Sequence, residues 1–213
     1  MSKVRALLFD MDGVIIDSNP VHVVAWEEYT RRHGVELTAE MRRQMYGKRN
    51  DELIRGFLGE LLSDAEVHAH GAAKEALYRE MMRPRVNDLL VPGVREFIGG
   101  HAGLGMAVAT NGEERNVDLV LDGAGLRSYF SVTLDGGQVK NPKPHPEIYL
   151  RAAELLRVAP GDCVVFEDSH AGVAAGLAAG MRVVGLSTTH DELPGVSLLM
   201  RDFWDPALEA WLA

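Results

Sequence analysis

The sequence predicts an α/β fold, a doubly wound parallel sheet into which an all-helical domain is inserted. Three observations carry this expectation. Four apolar runs of strand length, VRALLF at 4–9, GMAVA at 105–109, DCVVF at 162–166 and MRVVGL at 181–186, are spaced along the chain. Near-continuous apolar strands of this kind are buried on both faces, as a parallel sheet requires. Between them lie segments long enough to be helices, at about 94–101, 114–124, 146–157 and 171–179, so strand and helix alternate and the crossovers are expected to be right-handed.

The alternation breaks once. From about Pro20 to Arg85 there is no strand candidate. Apolar residues there recur at helical spacing, at Val21/Val24/Ala25/Tyr29, at Leu53/Ile54/Phe57/Leu58/Leu61 and at Ala73/Leu77/Met81. Pro84 and the turn Val91-Pro92-Gly93 mark the return to the sheet. The expected division is a core of residues 1–15 with 86–213 and a helical domain of residues 16–85. Farther on, Gly172 and Gly176 cost helix stability in the segment 171–179, and their expected return is close packing on the sheet. Ser169 reads as the cap of that helix rather than a nucleophile, because no G-x-S-x-G surrounds it.

Composition narrows the function. The 213 residues are 46% hydrophobic and 25% charged, enough to bury a core. No uncharged apolar run approaches the roughly 18–20 residues of a membrane span. The single cysteine, Cys163, forms no internal disulfide and anchors no cysteine-rich zinc site. A cytoplasmic, monomeric protein is the expectation. The formal charge of −9 opposes attraction to nucleic acid or anionic membrane, so an anionic ligand needs local cations or a metal.

The candidate chemistry follows from the sheet. In open parallel sheets ligands bind beyond the carboxyl ends of the strands. Asp10 and Asp12 follow the first predicted strand, Thr110 and Asn111 the second, Glu167 and Asp168 the third, and Lys143 precedes the helix near Pro146. Several carboxylates on one rim repel unless a cation neutralises them, and hard oxygen donors favour Mg²⁺ over zinc.

FDMDGVIIDS, ATNG, KPHPEIYL and FEDSHAGVAAGLAAGM stand in this order along the chain. Together they resemble the four motifs of the haloacid-dehalogenase-like hydrolase superfamily, subfamily I, and most closely its β-phosphoglucomutase-like phosphatase branch. The resemblance implies a Rossmann-like core, with the helical insertion as the cap. It implies a Mg²⁺-dependent phosphatase of a small phosphorylated metabolite, a sugar phosphate by expectation. In that reading Asp10 is the nucleophile that becomes an aspartyl-phosphate, and Asp12 is the acid/base whose carbonyl also meets the metal. Asp10 and Asp168 are metal ligands, with Glu167 beside Asp168 or behind it. Thr110 and the Asn111 backbone hold phosphoryl oxygens, and Lys143 offsets transition-state charge.

In the cap, His22 with Trp26 one turn later and Lys74 are the substrate contacts implied by the same resemblance, while Lys48 and Arg49, two cations in the glycine-led loop Gly47–Asn50, are suited to close over the non-reacting end of a phosphorylated substrate. β-Phosphoglucomutase itself is the alternative. The loop Thr110-Asn111-Gly112-Glu113-Glu114 and Asn50, where that enzyme's pattern has arginine, depart from it. A dehalogenase has no need of Asp12. A phosphonatase requires a cap lysine that Lys48 does not match in spacing, and a non-catalytic phospho-ligand binder requires a lost motif residue, of which there is none.

Overall fold

A computed structural model describes residues 3–45 and 50–212. The chain divides into two compact units, Met1–Asp17 with Val86–Ala213, and Ser18–Arg85. No helix among the described residues is long and apolar enough to cross a membrane.

The first unit is built on β1 (Ala6–Phe9), β2 (Gly105–Ala109), β3 (Val132–Leu134), β4 (Cys163–Glu167), β5 (Arg182–Leu186) and β6 (Leu198–Met200). Every pairing is parallel, in the order β3-β2-β1-β4-β5-β6. This is the doubly wound α/β architecture, and β1 lies where the strand order reverses, between β2 and β4. The four apolar runs form β1, β2, β4 and β5. The strands β3 and β6 went unanticipated: each is three residues long at an edge, with one or two side chains only partly buried, and so carries little apolar signal.

Helices α5 (Val94–Gly100), α6 (Glu114–Gly123), α7 (Glu147–Leu156), α8 (His170–Ala178) and α9 (Pro206–Leu212) complete this unit; α9 was not anticipated. One sheet face packs Ala6, Leu8, Ala107, Val165 and Val183 against Ile148, Tyr149, Ala152, Val173 and Ala175 of α7 and α8. Phe9 belongs to an aromatic cluster, stacked on Phe166 at 4.8 Å and edge-on to Phe130 at 5.7 Å. Such pairs contribute about 0.5–1.5 kcal/mol each beyond the area they bury.

The helical unit contains α1 (Asn19–Arg32), α2 (Ala39–Gln44), α3 (Asn50–Leu58) and α4 (Asp64–Met82), with no strand among its described residues. Proline in the first turn starts α1, and a Ser63/Glu66 capping box starts α4. Trp26, Tyr29, Leu53, Ile54, Phe57, Val67 and Leu77 form its core. Leu61, assigned from its spacing to the apolar face of α3, is fully exposed instead. The helix ends at Leu58, and the next residue, Gly59, has φ +151°, so the spacing no longer refers to a helix face.

Candidate active site

The carboxyl ends of β1, β2 and β4 gather the predicted core residues. Asp10, one residue past β1, Thr110, one past β2, and the consecutive Glu167 and Asp168 at the end of β4 are all buried. Pairing of β1 with both β2 and β4 brings the three strand ends together. Asp12 follows Asp10 in a tight turn where Gly13 adopts φ +76° and donates its N–H to the Ile16 carbonyl at 2.7 Å. Only glycine fits there, because a Cβ would lie 1.9 Å from Asp168 Oδ2.

Lys143 is the charged centre of the group. Its Nζ donates to Asp10 Oδ1 at 2.8 Å and to Glu167 Oε1 at 2.7 Å, and it lies 4.8 Å from the centre of the Tyr149 ring. Burial alone would lower the Lys143 pKa, but the charges of Asp10 and Glu167 outweigh it and hold the ammonium protonated. Asn111 Oδ1 accepts the backbone N–H of Lys143 at 3.2 Å, so the Asn111 side chain braces the lysine. Thr110 Oγ1 accepts the Gly112 N–H at 3.1 Å and keeps its own proton to donate.

Glu167 is held by five donors. Besides Lys143 these are Tyr149 OH at 2.7 Å, the backbone N–H groups of Asp168 and Ser169 at 3.1 Å, and Ser169 Oγ at 3.0 Å. Ser169 in turn caps α8, accepting the Gly172 N–H at 3.0 Å. Gly172 makes room for this carboxylate, since a Cβ there would lie 1.7 Å from Glu167 Oε1. At Gly176 a Cβ would meet Val183 of β5 at 2.8 Å. The two glycines thus serve close packing against the sheet end, one against a carboxylate and one against a strand.

Tyr149 was missed in the sequence because a buried tyrosine on an apolar helix face reads as core. Thr188 and Thr189, after β5, were missed as well; Thr188 Oγ1 donates to the Gly13 carbonyl at 2.6 Å and Thr189 Oγ1 to Asp168 Oδ2.

Oxygens of Asp10, Glu167 and Asp168 all lie within 4.8 Å of one another, with Lys143 as the ammonium in contact with the cluster. Burial pushes the Asp10 carboxyl up to about 7, with repulsion from Glu167 and Asp12 adding to it and Lys143 opposing, and burial with repulsion from Glu167, Asp10 and Asp12 pushes Asp168 well above the ordinary range against the Thr189 hydrogen bond. Three buried carboxylates against one lysine leave an excess of negative charge. With oxygen donors and no sulfur or imidazole in the set, the cluster fits a hard divalent cation.

Matching this arrangement, residues 4–180 fit the haloacid dehalogenase-like hydrolase family. The chain belongs to this family. As a haloacid dehalogenase-like hydrolase it is 34% identical to a fructose-1-phosphate phosphatase of Escherichia coli, over 85% of this chain and 96% of that protein. It is 33% identical to a phosphorylated carbohydrates phosphatase of Thermotoga maritima, over 92% and 90%. Among solved structures, the β-phosphoglucomutase of Clostridium difficile superposes with a TM-score of 0.86 at 25% identity, covering 98% of this chain and 95% of that one.

Within the helical unit of this hydrolase, His22, Trp26 and Lys74 come together. Lys74, 1% exposed, lies 2.9 Å from His22 Nδ1 and 4.9 Å from the centre of the Trp26 ring. It also donates to Glu75 Oε1 at 2.8 Å, which accepts Asn50 Nδ2 at 2.7 Å. The His22 ring stacks on Tyr78 at 3.8 Å. Lys48 and Arg49, with Gly47, lie outside the described residues.

Proposed function

We propose that this hydrolase is a Mg²⁺-dependent phosphatase of a small phosphorylated sugar, working through an aspartyl-phosphate on Asp10. The observation that carries the reading is the Lys143 ammonium shared between Asp10 and Glu167 at 2.8 and 2.7 Å, beside the turn that bears Asp12. A fixed cation touching the attacking carboxylate is where charge gathers as phosphorus is transferred.

An Asp10 oxygen attacks phosphorus, the ester P–O bond breaks, and Asp12 gives its proton to the departing sugar oxygen. Asp12 then takes a proton from water, whose oxygen attacks the same phosphorus. The bond to Asp10 breaks, inorganic phosphate leaves, and the carboxylate is restored. Thr110 Oγ and the Asn111 backbone N–H donate to phosphoryl oxygens, and Lys143 neutralises them. Asp10, Asp168 and the Asp12 carbonyl would hold Mg²⁺, which supplies charge neutralisation and alignment of the phosphoryl group. Glu167, with five donors on its two oxygens, serves behind them as the anchor that aims Lys143. His22 and Lys74, with Trp26, are the contacts proposed for sugar hydroxyls, and Lys48 and Arg49 are proposed to read the non-reacting end of the substrate.

The two phosphatase relatives support hydrolysis. The mutase reading draws on the β-phosphoglucomutase likeness and on the His22–Lys74–Trp26 cluster. Against it, Asn50 brings a neutral amide, tied to Glu75, where a second phosphate would need a cation.

The test uses β-glucose 1-phosphate and a panel of sugar phosphates with Mg²⁺ or EDTA. Magnesium-dependent release of inorganic phosphate, with little glucose 6-phosphate even when glucose 1,6-bisphosphate is added, is the expected result. Glucose 6-phosphate accumulating far faster than phosphate would establish the mutase instead.

A further inference from the structure

The loop that follows β5 reaches back to the candidate metal corner. Thr189 donates its hydroxyl to Asp168 Oδ2, and the adjacent Thr188 donates to the Gly13 carbonyl at 2.6 Å. A Cβ on Gly13 would lie 1.9 Å from that same Asp168 oxygen and 3.1 Å from Thr188 Oγ1. The turn, the carboxylate and the two threonines therefore fill one close-packed corner. His190 stacks on His170, the first residue of α8, at 4.3 Å between ring centres. Three successive residues of the loop thus grip three separate parts of the core unit.

A carboxylate that accepts a hydroxyl on one oxygen has its plane fixed and presents the other oxygen to a cation. Outer partners of this kind orient metal-ligating carboxylates, and their loss lowers metal affinity by about 10–100-fold. We propose that Thr189 is a positioning residue for Asp168, setting the affinity of the site for Mg²⁺. The proposal rests on the reading of Asp168 as a metal ligand. Nothing in the four motifs points to it, because residue 189 lies beyond the last of them.

The test measures Mg²⁺ binding to the full chain by titration calorimetry, without substrate, for the parent, T189V and T189S. T189V is expected to raise the Mg²⁺ dissociation constant about tenfold or more, and T189S to return it to within about twofold of the parent. In turnover, T189V should need correspondingly more Mg²⁺ for half activation and recover most of kcat at saturation. Should T189V fail to fold, T189A removes the hydroxyl without putting a methyl in its place and serves instead.

A loop that merely clips the fold predicts a lower unfolding midpoint with Mg²⁺ affinity unchanged, and that result would overturn the proposal. So would T189S binding as weakly as T189V, or a parent that binds no Mg²⁺. Thr189-dependent Mg²⁺ binding by a chain that hydrolyses no phosphomonoester would reject the phosphatase reading and leave this inference standing.

Discussion

Two buried lysines, one in each unit, sit in opposite electrostatic settings. Among the described residues, Lys74 in the helical unit meets one carboxylate, Glu75, together with His22 and the face of Trp26. Lys143 in the core unit meets two carboxylates, with a third, Asp168, in the same cluster. Among the described residues the first group sets one positive against one negative charge. The second does not. Burial makes an unbalanced charge expensive, so the excess of carboxylates in the core cluster favours a positive ion beside it more than the pairing in the helical cluster does.

The largest effect expected from this contrast is on turnover. Asp10→Asn keeps the shape and removes the nucleophilic charge, so hydrolysis of p-nitrophenyl phosphate should fall on the order of 10⁴-fold or more while circular dichroism stays unchanged. Near-parent activity would end the covalent mechanism. Asp12→Ala comes next. Activity toward alkyl phosphates, whose leaving oxygen needs a proton, should drop about 10²–10⁴-fold, and far less toward p-nitrophenyl phosphate. Equal losses on both substrates would contradict its acid/base role.

Stability sharpens the comparison. Lys143→Met and Lys74→Met each take the cation from a buried carboxylate and should each cost about 3–5 kcal/mol in urea unfolding with EDTA present. The double variants should part company. Lys74→Met with Glu75→Gln removes both charges of the Lys74–Glu75 pair and should return close to the parent, whereas Lys143→Met with Glu167→Gln leaves Asp10 without its cation and should not. Equal recovery of the two would erase the distinction drawn here.

The smallest effect is on pH dependence. Asp10 is raised from 3.8 to about 7, chiefly by burial. A group whose native pKa lies above its unfolded one stabilises the fold fully below the unfolded value, and that contribution is lost as pH rises through the native value. Metal-free protein should therefore lose stability between about pH 4 and 7, as read from thermal unfolding in EDTA. Because proton and ion compete for the carboxylates, the acid limb of activity should move to lower pH as Mg²⁺ rises.

Much of the core site was legible because its chemistry is local to strand ends. A buried apolar run that stops at Asp10 or at Glu167-Asp168 announces both the strand and the rim in one reading. Lys143 was found through its motif setting rather than its neighbours. What stayed hidden is long-range: Tyr149 meets Glu167 across 18 residues, and Thr188 meets Gly13 across 175. A hydroxyl that braces a carboxylate from a distant loop has no periodicity and no required spacing. In the helical unit, His22, Trp26 and Lys74 came from the family likeness, but Glu75, which balances Lys74, reads in sequence as an ordinary helix-surface acid. The edge strands β3 and β6 escaped for a different reason, since three-residue strands with partly buried side chains resemble loops.

Gly172 carries no chemistry of its own, yet the space where its side chain would stand is filled by the Glu167 carboxylate. The active site therefore depends on an atom that must be missing. A single methyl group on α8 would push Glu167 from its donors, and Lys143 would lose the anchor that aims it at Asp10, although no charged or hydroxyl-bearing residue had been touched. Seen this way, the small-residue helix is a mould. Its vacancies set the positions of the charges as firmly as the hydrogen bonds do, and a search for reactive groups alone would pass over it.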